Sequence, residues 1–556
     1  MTRKIKFLAA SLALFSLSSS ISFAQKKSAV NKLPIIADMV HNNPGDVPYV
    51  SKFNNADVIK PMGFNGKTYF IFQSPQLAIN WDKVDPDILP VGSDDRKWVD
   101  AKAKDIHAMY GEMKKKGMNV YCMSDLILFP KRLIAKYGME KTFSDPQNPQ
   151  TEKYLRILIR EMFAQFPELD GIFVRIGETY LHDAPYHKGG IQNQANPDKT
   201  IIPLMNILRD EICVKLNKKL IFRTWWSFDT DVANYMKVSN GVEPHDNLTI
   251  SIKHCEGDFH RGNPFSKVLG NGRHKILVEV QCAREYEGKG AYPNYIGEGV
   301  INGFEEHKDI RSQGKIASLK DLATRFPLFK GMWTWSRGGG WEGPYIQNEL
   351  WPELNAYVMA QWALNTNQSE ASIFNRYATT KLKLSPADAK KFRRLALLSQ
   401  DAVLKGRRST KYFREIEAMW TRDEYIGMLY KLPKGDTLKT ILAEKDTAVV
   451  MWKEIVSLSK QIKFADKKTQ SFVQVSSLYG LHLYEIYRAV FNLSAIRLGY
   501  ADASKKADWI QQYDNAWAAY QKLKADHPDC PTLYSKDKVL RMRTQISADK
   551  EIDKMR

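Results

Sequence analysis

The sequence predicts a (β/α)8 barrel followed by an all-α C-terminal domain. Three observations carry that reading. Short β-branched and aromatic runs alternate with amphipathic helical stretches from about residue 65 to residue 340, as parallel strands with crossover helices require. Beyond Tyr345 the strand signal stops and helical periodicity continues alone. The chain has 556 residues, 44% of them apolar and 11% aromatic, enough to bury a large core and unlike a disordered or collagen-like chain.

Seven strands follow from the β-branched runs: Thr68–Phe72, Met118–Met123, Gly171–Ile176, Leu220–Thr224, Leu248–Lys253, Ile276–Gln281 and Gly331–Trp335. For the eighth there are two candidates, Gly297–Ile301 and the early segment Leu33–Ile36. Apolar residues at helical spacing predict helices over Asp100–Lys116, stopped by Gly117, then Thr151–Phe166 and Ile201–Leu216. Asn355–Leu364, Pro386–Leu404, Tyr412–Tyr430, Thr437–Ile462, Gln470–Leu498 and Ala503–Ala525 make up the helical domain. The chain therefore divides into a leader (1–24), an N-terminal extension (25–60), a barrel (61–345) and a helical domain (346–556).

Arg3, Lys4 and Lys6 precede an apolar run from Phe7 to Phe15, and small residues lead to Ser22-Phe23-Ala24, the pattern of an export signal cleaved after Ala24. The expected location is the periplasm or the exterior, with no membrane anchor, because no later apolar run approaches the roughly 18 residues of a transmembrane helix. Lys and Arg number 82 against 62 Asp and Glu, a net charge of +20 that falls to +17 without the three leader cations. That excess points to an acidic partner. The basic residues are spread along the chain and the protein is exported, so nucleic acid is not expected.

Five cysteines do not make a disulfide scaffold. Two readings stay open for Cys255 and Cys282: a bridge, or buried free thiols. No CxxC or HExxH motif occurs and the eleven histidines are scattered, so no metal or other cofactor is expected.

In a barrel of this kind the reactive groups lie just beyond the carboxyl ends of the strands. There the sequence places Arg175 and Glu178, then Arg223, Trp225 and Trp226, then Lys253 with Glu256 and Asp258. The next two strand ends carry Glu279, Arg284 and Glu285, and Trp333, Trp335 and Arg337. Carboxylates, cations and tryptophans on one rim are what glycoside hydrolysis uses. One protonated carboxyl assists the leaving oxygen, an ionised one activates water, and flat indoles stack on sugar rings. The cations would suit an acidic sugar. Each group also has a structural reading: Arg223 and Lys253 as barrel ion-pair partners, Glu279 as the buried mate of a cation, Glu285 paired with Arg284, and the tryptophans as core.

Several blocks in order resemble the α-glucuronidases of glycoside hydrolase family 67. Gly171-Ile-Phe-Val-Arg-Ile-Gly-Glu178 resembles the family's G-F-L-V-K-A-x-S-E-G strand. Ile252-Lys253 through Asp258-Phe259-His260 is similar to V-K-N-G-P-x-D-F-Q, and Val278-Glu279 through Arg284-Glu285-Tyr286 to L-E-F-Q-I-T-Q-E-Y. Phe222-Arg223-Thr224-Trp225 matches the W-R-[TA]-F strand. The likeness spans roughly residues 100–300 and implies Glu178 as general acid, with Asp258 and Glu285 holding and deprotonating the water. It also implies Arg175, Arg223 and Lys253 around the uronate carboxylate. The family's N-terminal β-domain has no counterpart, Arg175 stands where the family has Lys, and Trp333, Trp335, Arg337 and Trp341 match nothing in it.

The expected function is removal of an α-linked glucuronic acid, or its 4-O-methyl ether, from an acidic oligosaccharide or polysaccharide by an inverting exo-acting hydrolase. Two alternatives are a hexosaminidase-like exo-glycosidase on the same barrel and a non-catalytic periplasmic binder of acidic glycans. A homodimer through the helical domain is a further expectation.

Overall fold

Eight parallel strands close into a barrel in a computed structural model that describes residues 32–41, 50–176, 181, 184–225, 227–257, 259–338, 348–412, 428–528 and 548–556. In chain order the strands are β1 (Ile35–His41), β2 (Gly66–Tyr69), β3 (Asn119–Ser124), β4 (Leu128–Pro130), β5 (Gly171–Val174), β6 (His187–Gly189), β7 (Lys219–Arg223), β8 (Leu248–Lys253), β9 (Lys275–Gln281) and β10 (Phe329–Gly338). The ring runs β1-β2-β3-β5-β7-β8-β9-β10 and returns to β1, while β4 and β6 form a separate antiparallel pair. The leader and the expected helix over Tyr412–Tyr430 fall, wholly or mostly, outside the described residues.

Ile35 registers with Gly331 to close the ring, and a Cβ at Gly331 would overlap both Ile35 and Leu277. The eighth strand is thus the early candidate, inside the segment set aside as an extension, so the barrel begins before residue 61. Gly297–Asn302 is a short helix instead. Its Val300-Ile301 pair looks like a strand in sequence but packs as the buried side of that helix.

Strand alternation sorts the side chains into two layers. Ala37, Met39, Tyr121, Met123, Phe173, Ile221, Leu277, Trp333 and Trp335 fill the barrel interior. The intervening residues, such as Ile36, Val120, Ile172, Phe222, Ile250 and Val278, face the helices as part of the larger core. Helix Asp94–Lys115 starts on Ser93 with Asp94 and Asp95 in its first turn, and ends in Lys114 and Lys115 just before Gly117 (φ +71°), each charge complementing the helix dipole. Helix Pro149–Gln165 follows within a few residues of expectation, whereas the helix expected over Ile201–Leu216 is α-helical only over Ile202–Leu208 and continues as a π-helical segment, Arg209–Lys215.

Helix Leu350–Leu364 is apolar nearly all round because it lies between β10 and the rest of the helical region. Pro386–Arg407, Gly435–Gln461, Lys467–Arg497 and Lys506–Asp526 then pack each against the next. The barrel reaches into them: Tyr292 sits among Trp452, Tyr479 and Tyr484, and Tyr295 N donates to Ser399 Oγ at 3.1 Å. Among the described residues no helix is long and apolar enough to cross a membrane.

Candidate active site at the barrel mouth

The alternation that sends Phe173, Ile221, Leu277 and Trp333 inward also sends inward Arg175, Arg223, Glu279 and Trp335, two residues further along each strand. Polar groups therefore cap the apolar interior at the carboxyl ends. Arg223 reaches across β8 to Glu279 in a two-pronged pair, Nε to Oε2 at 2.5 Å and Nη2 to Oε1 at 2.8 Å, with both residues buried. Glu279 is thus the buried mate of a cation, the structural reading its place inside a strand suggested, and Arg223 has a counter-ion within the barrel.

Arg175 is likewise paired, with Asp125 just after β3, at 3.1 and 3.3 Å. Lys253 Nζ lies 3.8 Å from the centre of the Trp225 ring, 3.9 Å from Asp229 Oδ2 and 3.0 Å from the Gly257 carbonyl. Asp229 in turn accepts Thr224 Oγ1 at 2.8 Å.

Glu285 is held by Gln281, whose Oε1 accepts the Glu285 N–H at 2.6 Å and whose Nε2 donates to Glu285 Oε2 at 2.9 Å. Arg284 pairs with Glu287. The strand end itself hangs from the Trp335 carbonyl, which accepts the N–H groups of Cys282 and Ala283 at 2.9 Å each. Glu178, Asp258 and Trp226 lie outside the described residues. The neighbours of position 258 are described: Gly257 (φ +65°) and Phe259 (φ +63°) both take left-handed backbone, a strain that a non-glycine residue sustains only in a well-determined loop. The Phe259 ring lies 5.6 Å from Lys253 Nζ and 6.3 Å from Trp335.

The tryptophans separate. Trp333 is fully buried one layer down and gives its N–H to Ser251 Oγ at 2.8 Å, which is the core role. Trp335 stands above it at 6% exposure, with His41 at 5.1 Å and the Arg223 guanidinium at 5.5 Å. Trp225 is half-buried beside Arg223 and Lys253. Among the described residues the indole N–H groups of Trp225 and Trp335 have no hydrogen-bond partner, as is also true of the core indoles of Trp81 and Trp452. Arg337 pairs at 3.6 Å with buried Glu349, which also accepts Ser51 Oγ and Lys52 N, and it belongs to the seam between barrel and helices.

Cys255 and Cys282 are free, buried thiols, so no bridge joins them; burial pushes Cys255 up to about 12 and Cys282 well above the usual thiol value. Among the described residues no cluster of three metal-ligating side chains occurs. Sequence reasoning missed Asp125, Asp229 and Gln281. Their signal was position alone, at or just beyond the ends of β3, β7 and β9. It also missed Arg407, which donates from the helical region to the Tyr286 carbonyl.

Fold and mouth together define a (β/α)8 barrel with a helical companion and a rim of fixed carboxylates, cations and indoles. No protein-family profile matches the chain, and no curated protein matches it. Among solved structures, the chain is similar to a glycoside hydrolase family 138 enzyme targeting pectin rhamnogalacturonan II, with a TM-score of 0.56 and 12% identity over 94% of this chain and 67% of that one. It also aligns with the family 20 catalytic modules of the pneumococcal exo-β-D-N-acetylglucosaminidase StrH, at a TM-score of 0.32 and 12% identity over 67% of this chain and 92% of that one. The first of these shows that the chain shares its whole fold, barrel and helical region together, with a glycoside hydrolase.

Proposed function

We propose that the protein is an exo-acting glycoside hydrolase of acidic glycans, removing a terminal uronic acid with inversion. The observation that carries this reading is Glu285, a carboxylate fixed twice by Gln281 at the mouth of a barrel, close in sequence to Arg284 and Glu287 and on the same rim as Lys253 and two indoles with unpartnered N–H groups. Glu178 would protonate the glycosidic oxygen, while Asp258 and Glu285 would hold a water and take its proton. Inversion asks for about 6.5–9.5 Å between acid and base carboxyls, room for that water. The indoles would stack on the sugar and donate to its hydroxyls. Lys253 would meet the uronate. The leader pattern in the sequence would put such an enzyme outside the cytoplasm, where polysaccharides are met.

A second reading, an exo-glycosidase for a neutral or amino sugar, is favoured by one observation. Arg175 and Arg223, two of the three cations assigned to the uronate, already face Asp125 and Glu279. The test is product analysis by NMR on oligosaccharides ending in glucuronic or galacturonic acid, pectic fragments included, each beside its carboxyl-reduced counterpart. Release of a uronic acid whose first-formed anomer is inverted is the expected result. Release only from the reduced sugars moves the assignment to the second reading, and tight binding without turnover makes the protein a binder.

A further inference from the structure

We propose that Glu287 is a positioning residue for the water-handling step: its buried carboxylate ties the loop after β8, which carries Asp258, to the loop after β9, which carries Glu285, and so holds the two loops at one spacing. This deepens the reading of an inverting glycoside hydrolase and rests on it for the chemistry.

The loop after β8 is closed on itself. Cys255 bridges to Phe265 at its base, Glu256 N donates to the Pro264 carbonyl at 3.0 Å, and Asn263 Nδ2 donates to the Glu256 carbonyl at 2.8 Å. Asn263 N also donates to the His260 carbonyl at 2.9 Å. A loop with its ends joined and its own side chains packed inside behaves as one body, so the contacts that reach it from outside decide where it sits. Those contacts meet at Arg261, three residues past position 258. Its backbone N–H donates to Glu287 Oε1 at 2.6 Å. Its guanidinium lies over the Phe304 ring at 3.7 Å, donates to Glu306 Oε2 at 3.2 Å and stands 3.5 Å from Asp401 on helix Pro386–Arg407.

The loop after β9 is held by the same carboxylate and the same helix. Arg284, in left-handed backbone (φ +57°), donates its guanidinium to Glu287 Oε2, and the Glu287 N–H donates back to the Arg284 carbonyl at 2.9 Å. Glu285 stands inside that turn. Asn294 Nδ2 donates to the Glu287 carbonyl at 3.2 Å, and the Asn294 carbonyl accepts Asn355 Nδ2 at 3.0 Å from helix Leu350–Leu364. The Tyr286 carbonyl accepts from Arg407, six residues beyond Asp401, and the Tyr286 ring packs on His260 with ring centres 4.9 Å apart. Both loops therefore lean on helix Pro386–Arg407, and Glu287 is the tie between them.

Charge makes the tie a firm one. Burial favours the neutral acid, but Arg284 and the Arg261 N–H outweigh it and hold Glu287 below the usual glutamate value. An ionised acceptor binds an N–H more strongly than a neutral one, and a buried anion that lost such a partner would stay uncompensated. At 4% exposure Glu287 acts through the loops and not on the sugar. The same contacts would also serve a plainer purpose, that of counter-ion to Arg284, and two conservative variants separate the roles. Aspartate keeps the charge beside Arg284 but is one methylene too short for the Arg261 N–H. Glutamine keeps the reach and loses the charge.

Steady-state kinetics of the full chain on the glycan found by product analysis, and on the matching glycosyl fluoride, test this. Glu287→Asp should lower kcat about 10- to 100-fold with KM within about twofold, and by the same factor on both substrates, because both need the water step. Glu287→Gln should lose clearly less. A raised KM at constant kcat, or a loss that spares the fluoride, would overturn the assignment; a glutamine variant worse than the aspartate one would leave Glu287 as a counter-ion only. Hydrogen exchange reads the tie without turnover. Glu287→Asp should speed backbone exchange over residues 259–263 and leave β8 and β9 as in the wild type, and unaltered exchange in that loop would overturn the tie. A wild type that hydrolyses no glycan, with a loop that responds in exchange as expected, would sink the enzyme reading and leave the tie standing.

Discussion

Gln281 grips Glu285 at two points four residues apart in sequence, its carbonyl on the Glu285 backbone N–H and its amide on the carboxylate. The consequence is a carboxylate with a set direction at the end of β9, in a chain whose next element is a loop. A glutamate on an exposed loop samples many rotamers; this one is 6% exposed and already oriented before any substrate arrives.

Gln281→Ala should therefore lower kcat by about 10- to 100-fold while KM changes little, since it disturbs the aim of a reacting group and not the binding surface. Steady-state kinetics on the substrate found by product analysis will check it. A large rise in KM at constant kcat would mean that Glu285 binds sugar and does not handle the water.

Glu178→Gln should reduce turnover of natural glycosides by several orders of magnitude and spare glycosyl fluorides, whose leaving group needs no proton. Comparing the two substrate types on one variant isolates the acid step. Equal losses on both would remove Glu178 from that role.

The Arg223–Glu279 pair sets up a stability cycle. Arg223→Met leaves a buried carboxylate without its bidentate partner and should cost about 3–5 kcal/mol, and Glu279→Leu should cost a similar amount. The double variant should recover most of the loss, because it removes both desolvated charges together. Urea denaturation of the four proteins measures the coupling, and additive losses would show that the two side chains have other, stronger partners.

Acid sensitivity follows from buried imidazoles, His187 and His254 among them. Burial lowers His187 from 6.5 to about 4 and His254 to about 3, the latter helped by nearby Arg284. Below pH 6.5 the unfolded chain takes up protons that the folded one refuses, so their contribution is complete above pH 6.5. It falls as pH drops towards 4 for His187 and 3 for His254, at up to about 1.4 kcal/mol per pH unit for each. His254→Gln should flatten stability against pH between 6.5 and 4 relative to wild type, read from urea midpoints. An unchanged slope would place the proton uptake elsewhere.

Much of this was legible in the sequence because period-two alternation fixes both the barrel core and the inward polar caps: once Phe173 and Ile221 are assigned inward, Arg175 and Arg223 follow. β1 was harder to see. Ile35–His41 carries Asp38 and His41 and owes its place to long-range partners, Asp38 accepting Thr334 Oγ1 at 2.7 Å and Ser336 Oγ at 2.8 Å. Gly297–Ile301 read as a strand from composition, but six residues closed by Gly303 at φ +98° form one and a half helical turns. Which ion pairs form was the least visible: Glu279 could be read as the mate of a cation, but it is 56 residues from Arg223 and nothing local says which cation it meets. Arg407 was invisible for another reason: a basic residue at a helix C-terminus satisfies the dipole and needs no further explanation.

The division of labour between Asp258 and Glu285 is the remaining step of the proposed chemistry. From sequence, Glu285 looked ready to pair with Arg284, which favoured Asp258 as the base; in the structure Arg284 turns to Glu287 and Glu285 is held by Gln281. A carboxylate whose direction is set by an amide donor is well suited to fix a water in place. In the proposed chemistry Asp258 would then be the base. Asp258→Ala should abolish turnover and be rescued by azide to give the inverted glycosyl azide, whereas Glu285→Ala should lose part of its activity and gain little from azide. The anomeric configuration of the azide product, read by NMR, decides the matter. Rescue of Glu285→Ala in place of Asp258→Ala would exchange the two roles, and near-normal turnover in both variants would take the pair out of the reaction and direct attention to Glu256 and Glu279.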